Sequence, residues 1–178
     1  MALRWMDRTF EFTTPLEQFP TVLERLRGTP ARIEEKVRAV SPAVLTRRDG
    51  DAWSMQEHLG HLLDLDELHL GRLDDFQAGA ETLRAADMQN RKTHEADHNR
   101  REVKHLLQDF RRERRRFVER LESLSPDQLS RSAVHPRLRQ PMRVIDMAWF
   151  VAEHDDHHLA RMTELQRLLD TRTEGVHS

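Results

Sequence analysis

Apolar residues recur at helical spacing along most of the chain. Leu16, Phe19, Leu23 and Leu26 keep one face and predict a short helical lead-in, after which Gly28-Thr29-Pro30 reads as a stop, an N-cap and a proline at a first helical position. Ile33, Val37 and Val40 then predict a first bundle helix over 31–40, ended by Ser41-Pro42. Beyond a loop at 42–52, Ser54 and Glu57 form a capping box that opens a second helix reaching Phe76. Met55, Leu62, Leu65, Leu73 and Phe76 share its inner side, with Asp64, Arg72 and Asp74 toward the rims. Residues 77–98 lack a sustained stripe and predict a long crossover with one short helix. Asn99 and Glu102 open a third helix, whose seam Val103, Leu107, Phe110, Arg114, Phe117, Leu121 and Leu124 is apolar except at Arg114. Ser125-Pro126 stops it, residues 130–142 with Pro136 and Pro141 predict a second loop, and the last helix covers 143–169. No segment alternates as a strand should. The pattern therefore predicts an all-α four-helix bundle with a long crossover between helices 2 and 3.

Composition agrees. Hydrophobic residues are 37% of 178, charged residues 34% and the mean hydropathy is -0.79, so burial must come from well-sorted faces. That length suits one bundle domain over 1–178. No apolar run approaches a signal peptide or the roughly 18–20 residues of a membrane span. Lys+Arg 29 against Asp+Glu 31 gives a net charge of -2, with no positive field for nucleic acid or an anionic membrane. Cysteine is absent, which excludes disulfides, thiolate metal sites and a cysteine nucleophile and fits a reducing compartment. A cytoplasmic protein acting on a small molecule is expected.

Histidine is the chemical lead, with 11 in the chain. At that frequency about 0.7 i,i+4 pairs arise by chance. Two are present, His94/His98 and His154/His158, so spacing alone decides little. Phase separates them: His154 and His158 lie about 40° apart, on the face carrying Met147, Val151, Leu165 and Leu169. Two imidazoles on one buried face can present two nitrogens to one metal, and buried imidazoles with no such partner carry a polar cost. A bundle site needs a further ligand from a facing helix, where His58, His61 and His69 compete. Wheel angles place His58 and His69 nearer the middle of the stripe and His61 toward its edge beside Leu65 and Leu68, and leave the choice open.

The segments WSMQEHLGHLLDLDE, from Trp53 to Glu67, and FVAEHDDHHLARM, from Phe150 to Met162, resemble in this order the DinB-like (DinB/YfiT-like) family of metalloenzymes. The resemblance spans most of the chain and implies a four-helix bundle of unusual chain order. It implies a divalent metal held by His61, His154 and His158, matched position by position, and a homodimer. Some relatives use a low-molecular-weight thiol, which implies a thiol-dependent S-transferase or a hydrolase acting on a small electrophilic metabolite. The alternative is a non-catalytic metal-binding or dimeric structural bundle. Three neutral imidazoles leave a cation open to water or thiolate, and Zn or Ni suits such ligands.

Other residues carry weaker expectations. Asp64 and His157 are candidates to orient a ligand or carry a proton, Arg114 to bind a substrate carboxylate or else to snorkel to the surface. Asp155 and Asp156 read as rim charges or partners for arginine, His94, His98 and His135 as loop residues, and Trp5, Trp53 and Trp149 as packing anchors. The run RRERRR at 111–116 winds around its helix with acids interleaved and reads as a solvated face rather than a nucleic-acid patch.

Overall fold

The computed structural model describes residues 3–174, with side chains as far as Leu169. In chain order come α1 (Phe19–Arg38), the one-turn α2 (Pro42–Leu45), α3 (Met55–Gln77), the short α4 (Arg91–Glu95), α5 (Val103–Glu122) and the one-turn α6 (Pro126–Leu129). The strands β1 (Ser132–His135) and β2 (Gln140–Arg143) follow, and α7 (Val144–Glu174) completes the order. The long helices α1, α3, α5 and α7 form the expected four-helix bundle: α3 packs on α5 and α7, and α1 packs on α5 and α7.

The capping box at the head of α3 forms as its sequence dictates. Ser54 Oγ accepts from the Glu57 N–H at 3.1 Å, and Glu57 returns a carboxylate oxygen to the Ser54 N–H at 2.9 Å. Burial works against the Glu57 charge, yet Arg48 and the Ser54 N–H hold its carboxyl down at about 2. Asn99 does not open α5. Its side chain accepts from Ser54 Oγ at 2.7 Å, while Gln56 donates to the carbonyls of His98 and Arg101, so the crossover ends clamped to the first turn of α3 and α5 starts at Val103.

Two further expectations are corrected. The loop at 130–142 contains an antiparallel hairpin in the register Ser132↔Arg143 to His135↔Gln140, whose pattern is legible only once Ala133, His135 and Met142 are seen to point inward. The crossover docks along it, through the Leu83 N–H to the Val134 carbonyl and the Val134 N–H to the Glu81 carbonyl. The break at Gly28-Thr29-Pro30 does not occur either: α1 runs straight through Pro30. Proline removes the N–H that would cover the Leu26 carbonyl. Arg114 Nη1 lies 3.4 Å from that oxygen.

Arg114 is neither a substrate ligand beside the histidines nor a snorkelling surface residue. It is 1% exposed, stacks over Phe110, and donates to both Asp66 of α3 and Asp155 of α7. Asp155, expected as a rim charge or a partner for arginine, is an arginine partner but a buried one, and also accepts from Thr29 of α1. Burial alone would favour the neutral guanidine, but the two carboxylates outweigh it and hold Arg114 charged. This polar layer divides the core. One apolar cluster takes Leu26, Leu73, Phe117 and Val151, and the other takes Ile33, Leu59, Phe110 and Met162. On each long helix the polar residue falls between the two. Arg114→Met should therefore leave two buried carboxylates uncompensated and cost ~3–5 kcal/mol. Urea unfolding would show this, and a loss under about 1 kcal/mol would mean that the layer is not holding the helices together.

Candidate metal centre

α3 and α7 face each other beside this layer, and their histidines meet. One ring nitrogen from each of His61, His154 and His158 lies within 4.8 Å of the others, and all three residues are buried. The Nε2 atoms of His154 and His158 are 3.1 Å apart. The third ring is oriented by the crossover. Thr93 Oγ1 donates to Asp64 Oδ2 at 2.9 Å, which spends its one proton, so at 3.2 Å it accepts from His61 Nδ1–H. His61 Nε2 thereby keeps its lone pair free. His98 Nε2 also meets Asp64, at 2.8 Å, and its ring rests where a Cβ on Gly60 would collide, which is why α3 carries glycine there.

His158 is tied on its other side: Nδ1 lies 2.8 Å from Nδ1 of His58. With His158 donating, its Nε2 is left to face His154. The donor set fits a divalent cation: imidazole nitrogens bind such ions at about 2.0–2.1 Å, and nitrogens at these separations can close on one ion with small rotations. His154 Nδ1 has no partner among the described residues.

The cluster forms one end of a cavity of about 500 Å³. Trp5 packs edge-on to His154 with ring centres 4.8 Å apart, and Trp53 lies 4.7 Å from His61, so these tryptophans wall the site as much as they anchor the core. His61, Leu65, Leu68 and Arg72 all line the cavity, being one helical stripe at i, i+4, i+7 and i+11. The stripe edge that made His61 ambiguous is the wall of this cavity. His69 lies deeper, beside Phe117, with no partner for Nδ1.

Other expected residues separate into clear groups. His157 is half-buried on the cavity wall, and Asp64 reaches His61 only through Thr93. Arg114 does not line the cavity. His94 and His98 do not converge: His94 is exposed while His98 is buried on Asp64. His135, expected in a loop, is a buried β1 residue that lines the cavity. Asp156 pairs with Arg25 and Arg32 at the surface of α1. The arginine run meets acids, with Arg111 on Glu34, Arg112 on Asp109 and Arg116 on Glu113. Thr93 and Arg72 escaped the sequence reading. For Arg72 the eleven-residue step from His61 was a usable signal, whereas nothing local marks Thr93.

The family model of the DinB superfamily matches residues 25–162, and the chain belongs to that superfamily. Among solved structures it is similar to YfiT from Bacillus subtilis, described as "a probable metal-dependent hydrolase with an unusual four-helix bundle topology", with TM-score 0.76 and 21% identity over 92% of this chain and 94% of that one. It is also similar to a mycothiol-dependent maleylpyruvate isomerase, with TM-score 0.65 and 12% identity over 80% of this chain and 59% of that longer chain. At these identities the likeness establishes the fold. A comparison with curated protein sequences finds no match. Among the described residues no helix is long and apolar enough to cross a membrane.

Burial sets the protonation of the cluster. Desolvation lowers His58 to about 3 and His61 to about 4, and pushes His154 and His158 well below the usual imidazole range, with neighbouring histidines adding to the effect. All are neutral at pH 7, as ligands must be. Their folded-state values lie below the unfolded value of about 6.5, so in acid the unfolded chain binds protons that the folded chain refuses. After chelator treatment, stability should be level from pH 7 to 8 and fall from about pH 6.5 to 4, each histidine adding up to about 1.4 kcal/mol per pH unit. Urea midpoints across this range would show it, and a flat profile down to pH 4 would mean that these rings are hydrated.

Proposed function

We propose that this protein is a metal-dependent enzyme in which His61, His154 and His158 hold one divalent transition metal, acting as a hydrolase or a thiol-dependent S-transferase on a small electrophilic molecule. The observation that carries the reading is the convergence of three neutral imidazoles, with no anionic ligand among them, at the end of a cavity of about 500 Å³. Three protein ligands leave a coordination position for chemistry, and a cation there acts as a Lewis acid that makes a water or thiol acidic enough to ionise near neutral pH.

The chain's own residues do the rest. Thr93 and Asp64 fix the tautomer of His61, and His58 Nδ1 is placed to accept from His158 Nδ1–H, which leaves His158 Nε2 for a metal. Trp5, Trp53 and Phe150 give the cavity an apolar wall beside the cluster. His157, kept largely neutral by burial and by the nearby Arg161 and Arg8 charges, can accept a proton at the cavity wall. The chain has no cysteine, so a sulfur nucleophile has to enter as a cosubstrate. The description of YfiT as a metal-dependent hydrolase and the thiol dependence of the isomerase favour these two reaction classes.

Elemental analysis of the purified, tag-free protein tests the site. About one equivalent of Zn, Ni or another divalent transition metal is expected. It should be lost in His61→Ala, His154→Ala and His158→Ala with the helical circular dichroism retained. No metal as purified, together with no binding of added Zn or Ni, would overturn the proposal. Thr93→Val keeps the shape but removes the link to Asp64, and should weaken Zn affinity by about 10–100-fold. Competition with a chromogenic chelator measures it, and unchanged affinity would remove Thr93 and Asp64 from the site. The cluster joins α3 to α7, so a metal that only braces the bundle is the second reading. Chelation that unfolds a parent protein lacking hydrolase and thiol-transfer activity would favour it.

A further inference from the structure

The end of the cavity away from the metal cluster is cationic. Arg72 is 2% exposed and its hydrogen bonds reach no carboxylate: Nε donates to the Arg84 carbonyl at 3.2 Å, and Nη1 stands 3.4 Å from Nε2 of His135. That second contact joins two donors. The Leu138 N–H, which can only donate, occupies Nδ1 of His135 at 3.2 Å, so in the neutral ring Nε2 carries the hydrogen. Arg137, two residues on, lines the same cavity and buries an Nη2 that has no partner among the described residues. Asp75 is engaged by Arg84 through its side chain and backbone N–H, and Asp87, which also lines the cavity, accepts from the Gln89 and Arg91 N–H groups and from Arg91 Nε. Three donors thus border one corner with no acceptor among them, and an unpaired buried charge of this kind is costly unless something answers it.

The walls between this corner and the histidines are Leu65, Leu68, Phe150 and Trp5, and the stripe from His61 to Arg72 runs about 16 Å along α3. We infer that Arg72, Arg137 and His135 form an anion subsite that takes the carboxylate of a small organic acid, whose apolar body lies along the cavity toward the histidine cluster. This rests on the proposed function for the role of the acid as substrate, but not for its binding. An arginine fork matches a carboxylate in two hydrogen bonds, which favours this anion at this corner.

Benzoate and its neutral isostere benzamide are the probes, titrated by NMR into the protein as purified and again after chelation, with the arginine Nε–H signals observed. Benzoate should saturate, move the Arg72 and Arg137 signals, and bind at least about tenfold more tightly than benzamide, about the value of one lost charge-assisted hydrogen bond. Arg137→Gln, at a partly exposed position, should weaken benzoate about tenfold, and Arg72→Gln by more. Equal binding of the two probes, or benzoate affinity unmoved by Arg137→Gln, would overturn the subsite. So would benzoate binding that chelation abolishes, because the carboxylate would then be going to the metal. A protein found to bind no metal leaves the titration fully interpretable, so the two proposals fail separately.

Discussion

Arg114 donates from α5 to Asp66 on α3 and Asp155 on α7, and borders the Leu26 carbonyl on α1. One guanidinium out of reach of water thus sets the height and rotation of four helices. Apolar faces alone specify such alignment weakly, since leucine packs almost as well one turn away, whereas a buried charge tolerates no slippage. The layer also explains how α1 survives Pro30, because Arg114 reaches the Leu26 carbonyl that the proline leaves without an N–H. Asp155 then acts through its place in the chain. It sits one residue beyond His154 and three before His158, so pinning it into the layer turns both imidazoles toward α3.

That rotation creates a cluster which folding has to tolerate. Buried neutral histidines give up hydration on both ring nitrogens, and only part of the loss is recovered through Thr93, Asp64 and the His58–His158 contact. His154 Nδ1 and His69 Nδ1 find no partner among the described residues. Unmet polarity in an otherwise well-satisfied core points to a ligand, and such places border the same cavity at the imidazole cluster, at His69 and at the Arg72 corner. The DinB superfamily fold supplies the frame for both, and the chemistry belongs to the residues placed on it.

The helices, their order and the long crossover could be read from the chain because each long helix carries its own apolar stripe, and because Ser54 and Glu57 cap α3 through bonds only three residues apart. The phase of His154 and His158 was legible for the same reason. The hairpin was not, since two four-residue strands with a proline in one offer too little alternation to register.

By itself, then, the sequence determined the four long helices, the Ser54–Glu57 cap and the shared face of the two α7 histidines, while a break at Pro30 and a helix start at Asn99 were overridden by tertiary contacts. It left His58, His61 and His69 undivided, put Arg72 at a rim, and left Asp155 between a rim charge and a partner for arginine. Those questions turn on what a facing helix presents, and that depends on the rotation imposed by Arg114 with Asp66 and Asp155, whose partners lie 41 and 48 residues away. Tertiary structure also decided that the edge of the α3 stripe borders a cavity rather than solvent. Whether a half-apolar edge meets water or a cavity wall depends on the crossover and hairpin that cover it, through contacts that no local pattern encodes.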